Sequence, residues 1–191
     1  MDANELQEAR TNPDFLKFLS EKEENAKATK NIKELYEVLD SMLILDLDIS
    51  RIDSVYENIL QLAFEKVEQT LASQGSLDLQ EEGLYVARAI YEYAIENWSN
   101  QNYGGAKGIF YILNSIINDE TLNNSLIIHI INVHNEETLD SFYTKINHEE
   151  QNSGEIYGYF ITRYNFDTTQ YLQDNAGVVQ EINLQIQSMM G

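Results

Sequence analysis

The chain reads as an all-α protein, an irregular multi-helix bundle of antiparallel hairpins. Apolar residues recur at spacings of three and four through most of its length, the period of one helix face. The breaks between these runs are short and polar, which makes neighbouring helices antiparallel and adjacent. No convincing pair of strands is present. One helical domain over residues 1–191 is the expectation, since a chain of 191 residues builds a sizeable core without division.

Met1–Asn12 is polar and expected to be disordered. Asn12-Pro13 is a helix start, with asparagine as the cap and proline at the first helical position. That helix carries Phe15, Leu16, Phe18 and Leu19, then enters the mixed-charge run Glu21–Lys30, a solvated helix or linker. Ile32, Leu35, Tyr36, Leu39, Met42 and Leu43 form the next stripe. Ser50 followed by Asp53 resembles a capping box and opens a long helix faced by Ile52, Val55, Tyr56, Ile59, Ala63, Val67 and Leu71. Ser73-Gln74-Gly75 stops it, with Gly75 suited to a left-handed position, and Asp78 followed by Glu81 restarts a helix.

Leu84–Asp119 organises the rest. Leu84, Ala87, Ile90, Tyr91, Ala94, Ile95 and Trp98 share one face. After the break Ser99-Asn100-Gln101-Asn102, the period resumes with Tyr103, Ala106, Ile109, Phe110, Leu113, Ile116 and Ile117. Two helices joined this tightly form an αα-hairpin, and Ala94 and Ala106 let their backbones approach. Gly104-Gly105 serves the tight turn. Ser125–Asn135 is apolar nearly all round, as in a buried helix, although its isoleucines also suit a strand. Glu136–Ile146 has Leu139, Phe142, Tyr143 and Ile146 at helical spacing. Gln151–Gly154 is a break, Ile156–Phe166 permits a strand, and Val178, Val179, Ile182, Ile186 and Met189 give a closing helix that starts near Asp174 or Asn175. The count is roughly eight helices.

The net charge is −20, from 12 basic and 32 acidic side chains. Such a field repels phosphate backbones and anionic membrane surfaces, so nucleic acid is not an expected partner. No run reaches the roughly 20 apolar residues of a membrane span, and the first residues lack a signal-peptide core. A soluble cytoplasmic protein without membrane insertion is the expectation. With no cysteine, disulfides and cysteine-ligated zinc are excluded. HExxH, GxSxG and a phosphate-loop lysine–serine pair are all missing. His129 and His134 are five apart, on different faces of a helix, and His148 stands alone. No catalytic residue, metal site or cofactor is therefore expected, and the protein is read as a non-enzyme.

Ala94, Tyr103, Ala106 and Phe110 resemble one tetratricopeptide repeat, in which a small residue is followed by an aromatic, an alanine and a second aromatic at these spacings. Tyr93, Leu113 and the lack of a proline after Asp119 depart from that pattern, and a shift of 34 residues finds no second copy. The hairpin also resembles those of small bacterial secretion and flagellar-export chaperones. By that resemblance Arg88, Tyr91, Ile95 and Trp98 would face an apolar groove that holds a segment of a secreted or flagellar client, and the acidic charge makes a basic or amphipathic segment the expected one. The other reading of the same residues buries Tyr91 and Trp98 against the preceding long helix. A self-associating bundle, a homodimer through the aromatic stripe, is the alternative function.

Overall fold

The computed structural model describes residues 3–148 and 156–190. Among them are ten α-helices: α1 (Ala3–Thr11), α2 (Pro13–Thr29), α3 (Ile32–Ile44), α4 (Ile49–Ala72), α5 (Glu81–Ser99), α6 (Tyr103–Ile116), α7 (Glu120–His134), α8 (Leu139–Tyr143), α9 (Thr168–Asp174) and α10 (Ala176–Met190). A 3-10 turn spans Ile156–Tyr159. The described residues contain no strand, only isolated bridges between Leu77 and Ile117 and between Ile146 and Tyr164. The all-α expectation holds. The chain divides into two compact units, 1–66 and 67–191.

In the first unit, Asn12 caps α2 as its sequence suggests, accepting hydrogen bonds from the amides of Asp14 and Phe15. The preceding segment differs from expectation: residues 3–11 are helical. Arg10 is one attachment: its guanidinium donates to the Leu45 carbonyl and lies 3.7 Å from Asp46. The charged run in α2 is more than a solvated face. Glu23 is buried there and accepts from Lys27 at 2.7 Å and from Arg51 at 2.6 Å. Burial pushes its carboxyl up, but the hydrogen bonds and charges of those two cations outweigh it and hold the carboxyl below its ordinary range.

On α3 the buried face is Ile32, Leu35, Tyr36, Val38, Leu39 and Met42, whereas Leu43 is exposed. The start of α4 lies earlier than the Ser50–Asp53 pair implies. Asp48 is the cap, accepting from the amides of Ser50 and Arg51.

Five helices stop in the same way. After α2, α3, α4, α5 and α7, the residues Lys30, Asp46, Gln74, Gln101 and Glu136 take positive φ of 50–58°. In each case the next amide reaches back five residues, as Asn31 does to the Ala26 carbonyl and Gly75 to that of Thr70. This is the Schellman geometry that satisfies orphan carbonyls at a helix end. The left-handed residue after α4 is thus Gln74 and not Gly75.

The second unit is built on the α5–α6 hairpin, with α7 and α10 packed on α6 and α10 also on α7. Ala94, Ala106, Phe110 and Leu113 are fully buried, as close approach of the two helices requires. Asn102 caps α6 through the Gly105 amide. A methyl group on Gly105 would lie 2.4 Å from the Asn102 side chain, so this glycine is needed, while Gly104 faces open space. At Gly83 a methyl group would lie 1.9 Å from the Asp78 carbonyl oxygen, so only glycine fits at the entry to α5. Neither Asp78 nor Glu81 caps α5; Gln80 stands at its start without a side-chain bond.

The apolar 125–135 segment is helical, within α7, and buried nearly all round. Only five residues of 136–146 form a helix, α8. The segment after Tyr159 is irregular and pairs with residues 145–147: the Asn147 amide donates to the Arg163 carbonyl and the Asn165 amide to that of Lys145. The expected closing helix is α10, with Ile182 and Ile186 buried. The break expected at Gln151–Gly154, and the side chain of Met189, lie outside the described residues.

Candidate functional site

The α5 face is closed, and the side chain at its centre is His129 of α7. Its imidazole is fully buried. Ring centroids of Phe142, Phe110, Tyr91 and Trp98 lie 5.1, 5.2, 5.5 and 5.9 Å from it. Nδ1 contacts the Ser125 carbonyl at 2.5 Å and must carry the hydrogen, because a carbonyl only accepts. Nε2 is then an acceptor, and the Tyr91 hydroxyl donates to it at 2.9 Å. The Tyr91 oxygen in turn accepts the Ile161 amide at 3.1 Å. Burial in this cage holds the imidazole far below its ordinary range, at about 4, against the weaker upward pull of the Ser125 bond. Burial also raises the Tyr91 phenol well above its usual value, so both groups are neutral near pH 7.

The four expected groove residues have separate fates. Trp98 is enclosed, its indole donating to the Glu137 carbonyl at 2.7 Å and its rings 4.8 Å from those of Phe142. Tyr91 is buried with Phe160 edge-on at 5.2 Å. Arg88 is buried too, paired with Glu92 at 2.8 Å and stacked 4.4 Å over the Tyr159 ring. Ile95 is half-buried. Tyr91 and Trp98 therefore do not line an open groove. The reason is that α7, α8 and residues 156–164 of the same chain cover this side of α5.

An open furrow lies elsewhere in the second unit, between α9, α10 and the start of α7, with a volume of about 710 Å³. Its apolar lining is Leu172, Ala176, Val179 and Leu184, and its rim carries Glu120 and several amides. Leu184 is 60% exposed. Sequence reading placed Val179 on the closing helix but not Leu184, whose position breaks the apolar period of α10. It also passed over α9, whose seven residues hold two apolar side chains that signal little by themselves.

No group of three or more metal-ligating side chains converges among the described residues, and His134 and His148 are exposed. No described helix is long and apolar enough to cross a membrane. Comparison of the chain with protein-family models, with curated proteins and with solved structures finds no match.

Proposed function

We propose that the chain is a non-enzymatic protein-binding module, a small acidic chaperone or adaptor of the cytoplasm that holds a basic, amphipathic client segment. The observation that carries this reading is the α9–α10 furrow with Leu184 standing open at its edge. A leucine so exposed beside other apolar side chains gains by being covered, at about 25 cal/mol per Å² of apolar area. The surrounding charge selects the cover: residues 67–191 hold 17 acidic and four basic side chains, so a client with lysines or arginines beside its apolar positions is attracted. Segments of secreted or flagellar-export proteins are the client class to try first.

A labelled amphipathic peptide of leucine and lysine, roughly four helical turns long, is expected to bind saturably and to weaken as salt is raised. Leu184→Asp is expected to weaken it by about tenfold or more, about 1.4 kcal/mol. Absence of saturable binding, or equal affinity in the variant, overturns the furrow as the client site.

One observation favours self-association as a second reading. On α2, positions 15, 18, 22 and 25 follow helical spacing, as do 34, 37, 41 and 44 on α3. Contacts of Lys22 with Glu37 and of Asn25 with Glu34 align the two stripes. The register brings Phe15 and Phe18 to the same end as Ile44, and Phe18 and Ile44 are 58% and 61% exposed. If this patch pairs two copies, the sedimentation coefficient rises with concentration and Phe18→Glu abolishes the rise. A coefficient independent of concentration removes the reading.

A further inference from the structure

We propose that His129 is an acid-sensitive latch on the strap formed by residues 156–164: a proton on its ring releases the strap from α5 and uncovers Tyr91 and Arg88. The inference is independent of the furrow.

Three bonds in series connect the ring to the strap: the Ser125 carbonyl accepts from Nδ1, Nε2 accepts from the Tyr91 hydroxyl, and the Tyr91 oxygen accepts from the Ile161 amide. A proton arriving at Nε2 turns that acceptor into a donor. The Tyr91 hydroxyl hydrogen then has nowhere to go within the cage. The new charge would also sit among four rings with no carboxylate bonded to it. Ring faces attract a cation, but they do not replace the hydration that a buried, unpaired charge gives up, so the closed cage loses.

The titratable and charged groups on the surrounding elements do not offset this. Tyr91 on α5 is the direct neighbour. Arg88 and Glu92, also on α5, pair with each other and flank the strap. Beside α8, Glu137 is paired with Lys145 at 2.6 Å, and Lys145 also bonds Asn132 of α7. Phenylalanines face the ring from α6 and α8. On the strap side, Tyr164 packs on Phe142 and its hydroxyl donates to the Ile161 carbonyl.

The strap is the element that yields. Helices α5, α6 and α7 keep their own backbone ladders, whereas the strap's backbone is tied to its surroundings at the Ile161 amide and by the short pairing near Asn147 and Asn165. Its ring contacts, Phe160 on Tyr91 and Tyr159 on Arg88 and Tyr85, lie on the face that opening exposes to water.

Amide hydrogen exchange on the intact chain, corrected for the intrinsic pH dependence, tests this. With the imidazole at about 4 in the closed cage and an ordinary value near 6.5 when fully hydrated, lowering the pH from 7 to 4.5 is expected to favour the open strap by up to roughly 50-fold, the full factor applying when opening lets water reach the whole ring. Residues 156–164 lose protection within that limit while α6 and α10 keep theirs. His129→Gln is expected to remove the pH dependence. If that variant does not fold, the wild-type protein still decides: the midpoint of strap exchange must coincide with the titration of His129 followed by NMR. The proposal is overturned if strap protection does not change with pH, if α6 is lost in the same step, if the dependence survives in His129→Gln, or if the two midpoints differ.

Discussion

Replacing Trp98 with alanine is expected to lower the unfolding free energy by about 3–5 kcal/mol, the largest effect of any single change here. The indole is wholly enclosed, within 4.8–6.2 Å of Phe142, His129 and Phe110 measured between ring centroids. Removing it leaves a large void that rigid helices α5 and α6 cannot close, because Ala94 and Ala106 already bring them together. The Glu137 carbonyl also loses its donor. Against a typical stability of about 5–15 kcal/mol, such a loss is a third or more of the total. Urea unfolding followed by circular dichroism measures it; a loss under about 1 kcal/mol would mean that the cage is not the packed centre of this unit.

The second large effect comes from one oxygen atom. Tyr91→Phe keeps the ring against Phe110 and Phe160 but deletes the hydroxyl that serves His129 on one side and Ile161 on the other. Two buried polar groups are stranded together. Each unsatisfied group costs about 1–3 kcal/mol, so a loss of about 2–4 kcal/mol is expected after partial relaxation. The signature that separates this from ordinary core damage is local: the Ile161 amide exchanges faster while amides of α6 do not. A variant as stable as the wild type, with Ile161 still protected, would show that the hydrogen-bond chain contributes nothing.

Much of the fold is legible in the sequence because helical spacing is a local property. The α5–α6 hairpin and the Asn12 cap rest on residues within a few positions of each other, whereas the spacing of 125–135 suits helix or strand and only its helical neighbours favour the helix. Helix ends are harder to read. Lys30, Asp46, Gln74, Gln101 and Glu136 occupy the left-handed positions where glycine would announce a stop, each accepting about 1–2 kcal/mol of strain. The nearby Gly75 drew attention away from Gln74. Asp48 likewise lies outside the capping pattern that Ser50 and Asp53 suggest.

The site is less legible for a different reason. Periodicity shows that Tyr91, Ile95 and Trp98 share a face, but not which distant segment lies on it. Residues from Val86 to Tyr91 are buried in an unbroken row, so α5 is covered on most sides. The cover includes residues 156–164, some 70 positions away from Tyr91, and nothing in their spacing announces a destination. His129 could have been singled out earlier by one signal, an imidazole in the middle of the isoleucine-rich core of α7, where a polar ring needs two partners.

Because Trp98 is the sole indole of the chain and its ring stands 5.9 Å from that of His129, the molecule carries its own optical probe. Its emission reports on the hydration and charge of the cage without any attached dye.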